Sequence, residues 1–346
     1  MKFILDAEQR LFGETLHKLL AEAGTPAAIR AWAAGSHGPG LALWRSLADA
    51  GVLAVAVPES AGGAGPLPVE LVTAFHELGR HAAPGPLAES VAVAALLDRL
   101  APEDLVVAPE TVDAWLACIA EGKTVATAAL PPAVPYALDA DAAGLVLTVN
   151  GDELRAALPG AARVSLDPAR RLFPVEGGEL LARGPSVRAA AEAARDMGAL
   201  ATAAQLVGVG RALLDASVEY ARARRQFGRP IGEFQAVKHH LANTLVGLEY
   251  ARPLVHGAAL AHGSPDFPRD VSAAKVAASE AAYAAAKIAL QVHGAIGYTD
   301  EYDPSLWIRK ARALHSAWGS PSAHRARVLA ALAHRRVRDP GQKSSW

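Results

Sequence analysis

Leu11, Leu16, Leu19 and Leu20 recur at helical spacing near the start of the chain, and similar periodic segments follow. LALWRSLADA reads as a helix ending near Gly51. A short apolar run comes next, and Pro58 with the glycines of 62–65 marks a loop. PVELVTAFHELGR is a helix stopped around Gly79, and Pro84 and Pro86 prevent its continuation. LAESVAVAALLDRL and PETVDAWLACIAEG complete a helical block over 1–119. The pattern changes near Lys123. TVATAAL, GLVLTV, ELRAAL, ARVSL and RRLFPVE suit short strands, and Asn150-Gly151 marks a hairpin between two of them. This predicts a reduced β domain over 120–186. Helical periodicity then returns over about 186–225, 233–262 and 267–293, and in SLWIRKARALHSAW and SAHRARVLAALAHRR. Long helices with short links predict a bundle over 187–338, followed by a frayed tail at 339–346.

The order is therefore a helical domain, a small β domain and a helical bundle: a mainly α fold. Strands do not alternate with helices, which argues against a doubly wound parallel sheet, and no GxGxxG follows a strand. Of the 346 residues, 51% are hydrophobic and only 5% aromatic. Alanine, leucine and valine carry the apolar share, a mix that favours helices. A formal charge of −1 gives no field that would draw nucleic acid. The single cysteine, Cys118, excludes an intramolecular disulfide and a cysteine-based zinc cluster. The charged amphipathic start is unlike a secretory signal, and charges interrupt the Ala-rich runs before they reach membrane-spanning length. The expectation is a cytoplasmic protein with no membrane span.

Two segments carry candidate chemistry. In Arg224–Lys238, a helix ends beside paired arginines, an aromatic and a turn holding Gly228, Pro230 and Gly232. Arginine forks match a pyrophosphate, and Phe227 suits a planar ring. The alternative is cations placed to offset a helix dipole. In Gln291–Thr299, small residues at 294, 295 and 297 allow close backbone approach, and Gln291 can hold an amide or hydroxyl. The alternative there is a helix C-cap. The histidines offer no metal signature: His239 and His240 are adjacent and so diverge on a helix, while His76, His81, His256 and His262 are scattered along the chain.

Together, RxxFGxxIxxFQ, then QxxGxxGYTxEY about 55 residues on, then Arg309, resemble the C-terminal domain of the acyl-CoA dehydrogenase family. Trp44–Gly65 and Glu77–Leu87 resemble its N-terminal domain. The resemblance covers nearly the whole chain and is weakest in the middle. It implies an FAD held between subunits, with the flavin on one chain and the ADP portion on its neighbour. Arg224, Gln226 and Phe227 would contact the pyrophosphate and adenosine, Ile231, Phe234 and Val237 would line the adenine side, and Gln291, Gly294 and Ala295 would touch the same portion. Ala295 stands where the family usually has a second glycine.

The family's reaction needs a carboxylate to take the proton alpha to the thioester. Counted from Arg309, the usual base position holds Trp318, whose indole cannot act as a base. The other known position holds Gly198, with Asp196 two residues away on a different helix face. No catalytic residue is therefore assigned. The polar flavin-side loop of the β domain is replaced by Pro131-Pro132-Ala133-Val134-Pro135. This pattern resembles the degenerate, non-catalytic subunit of heteromeric acyl-CoA dehydrogenases of actinobacterial sterol and acyl-CoA catabolism. The resemblance implies a catalytic partner subunit in a heterotetramer, or else a homo-oligomer. It also implies an acyl-CoA substrate in the complex and an electron-transfer flavoprotein as acceptor. The alternatives are a self-sufficient flavoenzyme with a relocated base, Asp196 first, and a flavin-free structural subunit.

Overall fold

The computed structural model describes residues 3–338; the tail expected at 339–346 lies outside the described residues. Six helices form the first block: α1 (Ala7–Glu22), α2 (Thr25–Ala33), α3 (Gly38–Asp49), α4 (Pro68–Arg80), α5 (Leu87–Asp98) and α6 (Pro109–Ala120). α1 starts at a capping box: the Asp6 carboxylate accepts from the Gln9 backbone, and the Gln9 side chain accepts from the Asp6 backbone. α5 is apolar almost all round and buried accordingly.

The middle region holds β1 (Ala126–Ala129), β2 (Ala137–Leu138), β3 (Leu145–Asn150), β4 (Glu153–Pro159), β5 (Leu172–Phe173) and β6 (Val175–Arg183). The main sheet has the order β1-β3-β4-β6; β1 and β3 run parallel and the other pairs antiparallel. β2 and β5 pair separately. The hairpin at Asn150-Gly151 forms as the sequence predicts. ARVSL does not become a strand: only an isolated bridge joins Arg163 to Leu172, and Val164 and Leu166 stand exposed. The longest strand, β6, instead runs through Gly177 and Gly178. The Arg155 side chain on β4 lies across these glycines and donates to the Gly178 carbonyl.

The last block is α7 (Pro185–Ala223), a small hairpin of β7 (Arg225–Gln226) and β8 (Arg229–Pro230), then α8 (Gln235–Leu260), α9 (Phe267–His293), α10 (Pro304–Ser316) and α11 (Pro321–Arg338). α7 has 39 residues, about 58 Å at the helical rise. By length and hydropathy it could cross a membrane, yet 89% of its most apolar window is buried inside the protein. It is the axle of the fold, with α4, α5, α8 and α9 packed around it. Gly79 of α4 and Gly208 of α7 make this possible, since a Cβ on either would collide with the carbonyl of Gln205 or His76 on the other helix. One hydrophobic core runs unbroken from Leu53 and Phe75 through Leu147 to Leu200, Ala278 and Trp318, joining all three regions.

Candidate functional site

A cleft of about 440 Å³ separates the β region from the bundle. One wall comes from Ala133–Tyr136 and Leu138, a second from Val164–Leu166 and Arg170, and a third from Arg312–Trp318; Glu89 lies among the lining residues. Ala133, Val134 and Pro135 of the proline-rich loop line the cleft and offer no polar side chain before Tyr136.

The turn after α10 is built to hold an indole. Trp318 has φ +56°, a left-handed conformation rare for a bulky residue. Lys275 of α9, fully buried, places Nζ 3.0 to 3.5 Å from four acceptors, Ser279 Oγ and the carbonyls of Leu314, His315 and Gly319, among which its three N–H donors are shared. Those carbonyls at the end of a helix would otherwise lack donors. Burial, then the nearby Arg170 charge, pushes the Lys275 ammonium down to about 7. His324 Nε2 faces the Trp318 carbonyl at 2.9 Å, and its Nδ1 faces Ser272 Oγ at 3.1 Å. The carbonyl requires a donor, so the proton sits on Nε2.

This turn throws the ring of Trp318, only 3% exposed, against α7. It lands on Gly198, where an added Cβ would lie 2.4 Å from the indole. The two positions at which the sequence seeks a base are therefore one place in space. An indole fills it, and the glycine makes room for that indole. Trp318 Nε1 donates to Glu89 Oε1 at 3.3 Å, and Arg170 donates to the same oxygen at 3.4 Å.

Asp196 is elsewhere. Its carboxylate is buried and accepts from Arg327 at 2.7 Å, while Arg327 also reaches Glu192. Burial raises its pKa and Arg327 opposes the rise. Asp196 does not line the cleft; Glu89 is the acid that does. Sequence reasoning missed Glu89, though a lone carboxylate within the apolar run LAESVAVAALL was a readable signal. It also missed Lys275, a cation on the buried face of an Ala-rich helix.

The nine residues named for a cofactor lie in two segments at one end of the bundle. α7 and α9 run in the same direction with α8 returning between them, so both C-termini and the α8 N-terminus share that end. Tyr220 of α7 and His293 of α9 meet at 4.6 Å between ring centroids, tilted by 38°, and tie the segments together. The β7–β8 hairpin turns through Phe227 (φ +52°) and Gly228 (φ +81°). Phe227 is 90% exposed and meets Phe234 edge-on, while the Arg229 guanidinium covers the Phe234 ring at 4.3 Å. Arg224, Gln226, Gln291 and Ala295 are exposed; Ile231, Phe234, Val237 and Gly294 are half-buried. None of the nine lines the cleft. The helix expected to continue to 225 stops at Ala223, because Arg224 is extended and its carbonyl accepts from Ile231. Arg309 is paired with Asp300 at 2.8 Å.

Residues 6–105 match the family model for the acyl-CoA dehydrogenase N-terminal domain, and residues 188–333 match the model for its C-terminal domain. The chain belongs to the acyl-CoA dehydrogenase family. It is 33% identical over 318 residues to acyl-CoA dehydrogenase IpdE2 of Mycobacterium tuberculosis, covering 91% of this chain and 94% of that protein. Two solved structures show the same fold. Butyryl-CoA dehydrogenase from Megasphaera elsdenii superposes with a TM-score of 0.81 at 20% identity, covering 96% of this chain and 100% of that one. A chain of the ChsE4–ChsE5 complex from Mycobacterium tuberculosis superposes with a TM-score of 0.77 at 24% identity, covering 100% of this chain and 100% of that one. The acyl-CoA dehydrogenase order of helical block, small sheet and helical bundle is the order read from the sequence.

Proposed function

We propose that this chain is the base-less subunit of a heteromeric FAD-dependent acyl-CoA dehydrogenase, which introduces an α,β double bond into an acyl-CoA thioester. The observation that carries the proposal is the contact of Trp318 with Gly198. Both positions where the family places its glutamate are spent on one packed indole, and indole N–H only donates. A partner subunit with an intact glutamate supplies the base, and an electron-transfer flavoprotein accepts the electrons.

The two ends of an FAD would meet different surfaces on this chain. At the ADP end the residues fit. Arg224 offers a fork for pyrophosphate, Phe227 offers an exposed ring face, and nothing lies within 4 Å of where a Cβ on Gly294 would sit, so a ligand can approach the backbone there. Gln226, Ile231, Phe234, Val237, Gln291 and Ala295 complete that surface. FAD bound there would supply the hydride acceptor, its flavin resting on the partner. At this chain's own cleft the proline loop offers no polar side chain before Tyr136, and Trp318 is among the lining residues. The disjoint placement of cleft and ADP surface supports an FAD shared between subunits. An apolar stripe on α8, with Leu245, Val246, Tyr250 and Leu254 exposed, supports burial against a partner.

Co-expression of the chain with a glutamate-bearing acyl-CoA dehydrogenase subunit, followed by flavin quantification, tests the proposal. Arg224→Ala in this chain should lower FAD per complex at least tenfold at limiting FAD. Unchanged flavin content in that variant would remove the ADP-side role.

A further inference from the structure

The histidines that look scattered along the sequence are not scattered in the fold. α1 packs on α4, and His17 from the first meets Glu77 and His81 from the second. His17 Nδ1 lies 2.9 Å from Glu77 Oε2 and 3.1 Å from His81 Nε2. One proton on His17 Nδ1 can point fully at only one of these neighbours, so the three atoms converge without a complete set of hydrogen bonds among themselves.

We propose that His17, Glu77 and His81 form a binding site for one divalent transition ion of the zinc type. The donor set, two imidazoles and one carboxylate, is a known zinc set. Glu77 and His81 are four residues apart, so the end of α4 presents both on one face, and α1 supplies the third ligand. A tetrahedral ion about 2.1 Å from each donor needs donor separations of about 3.4 Å. The two contacts of His17 reach this by opening about half an ångström or less, and all three ligand atoms lie within 4.8 Å of one another. His76 Nδ1 lies 3.0 Å from Glu77 Oε1, which orients the carboxylate and leaves Oε2 for the ion. Arg80 is the competing cation. Its guanidinium stands 4.0 Å from Glu77 Oε2 but also reaches Asp215 at 3.4 Å. A groove of about 800 Å³, lined by His17, Glu77, Gln9 and Glu14 but also by Arg10, Arg80 and Arg252, opens onto two of the three ligands and gives the ion a path in. The ion would pin α1 to α4 beside the axle helix.

The test uses the chelator-treated full chain titrated with zinc chloride by calorimetry, and with cobalt(II) chloride by visible absorption. The expected result is one zinc per chain and an intense ligand-field band of four-coordinate cobalt. His17→Gln and His81→Gln should each weaken zinc at least a hundredfold, while a control replacing the exposed His239 and His240 with Gln should leave it unchanged. Absence of saturable one-to-one binding overturns the proposal, as does equal binding by wild type and the two ligand variants. If a variant fails to fold, the cobalt spectrum of the wild type decides alone: a weak octahedral band, or none, overturns it.

Discussion

Gly198→Ala is the sharpest perturbation the structure offers. The new Cβ would lie 2.4, 2.5 and 2.6 Å from three indole carbons of Trp318. The indole is held by Glu89 at its nitrogen, and the backbone beneath it is held by His324 and Lys275, so it cannot slide aside freely. Overpacking of this kind costs about 1–3 kcal/mol, and a rigid ring so far inside contact belongs at the upper end. Against this, Gly to Ala within a helix gains about 1 kcal/mol. The net expectation is destabilisation by about 2 kcal/mol. Trp318→Ala alone should cost about 3–5 kcal/mol, from lost burial and a cavity. In that background the clash is gone and only the helix gain is left. Gly198→Ala should then stabilise by up to about 1 kcal/mol, a reversal of sign and a coupling of about 3 kcal/mol. Urea unfolding of the four proteins, followed by far-ultraviolet circular dichroism, measures it. Additivity within about 0.5 kcal/mol would show that the indole does not occupy the space over Gly198, and the account of the filled base position would fall with it.

Other consequences are as direct. His324 is held neutral by burial, at about 4 against an ordinary 6.5. The unfolded chain therefore binds the extra proton between those values. Its contribution to stability should be full above pH 6.5 and fall by about 3 kcal/mol as pH drops toward 4, and His324→Gln should remove that share of the slope in unfolding titrations, leaving the share of His81, lowered by burial to about 4 as well. Phe227→Ala removes an exposed ring, so unfolding free energy should move by less than about 0.5 kcal/mol. Its FAD affinity in the complex should drop at least tenfold, and a fluorescence titration reads the two effects apart. Asp196→Asn weakens the buried pair with Arg327 and should destabilise by about 1–3 kcal/mol. Turnover per folded complex should stay within twofold; a loss of several orders of magnitude would make Asp196 the base.

The helices were legible because their apolar faces repeat in phase with the backbone, and α7 because its alanine and leucine content suits a helix buried on every side. The small sheet was legible only in part. β6 extends past the RRLFPVE segment through Gly177-Gly178, where the Arg155 side chain packs against Gly177 and donates to the Gly178 carbonyl. ARVSL has the alternation of a strand, but its apolar residues form an exposed lip of the cleft. The absence of a carboxylate at 198 and 318 could be counted along the chain. That one residue explains the other could not, since 120 positions separate them and the contact is tertiary. The same holds for His17, Glu77 and His81: the end of α4 brings two of them together locally, but only the packing of α1 supplies the third.

The central claim is that this chain holds an FAD without being able to take the substrate's proton. Anaerobic addition of an acyl-CoA to the purified chain alone, supplied with FAD and followed by flavin absorbance, tests it most directly. The account predicts no acyl-CoA-dependent bleaching from the chain alone, and rapid bleaching once a partner with an intact glutamate is added. Stoichiometric FAD bound by this chain alone, and bleached by acyl-CoA at a comparable rate, would contradict it.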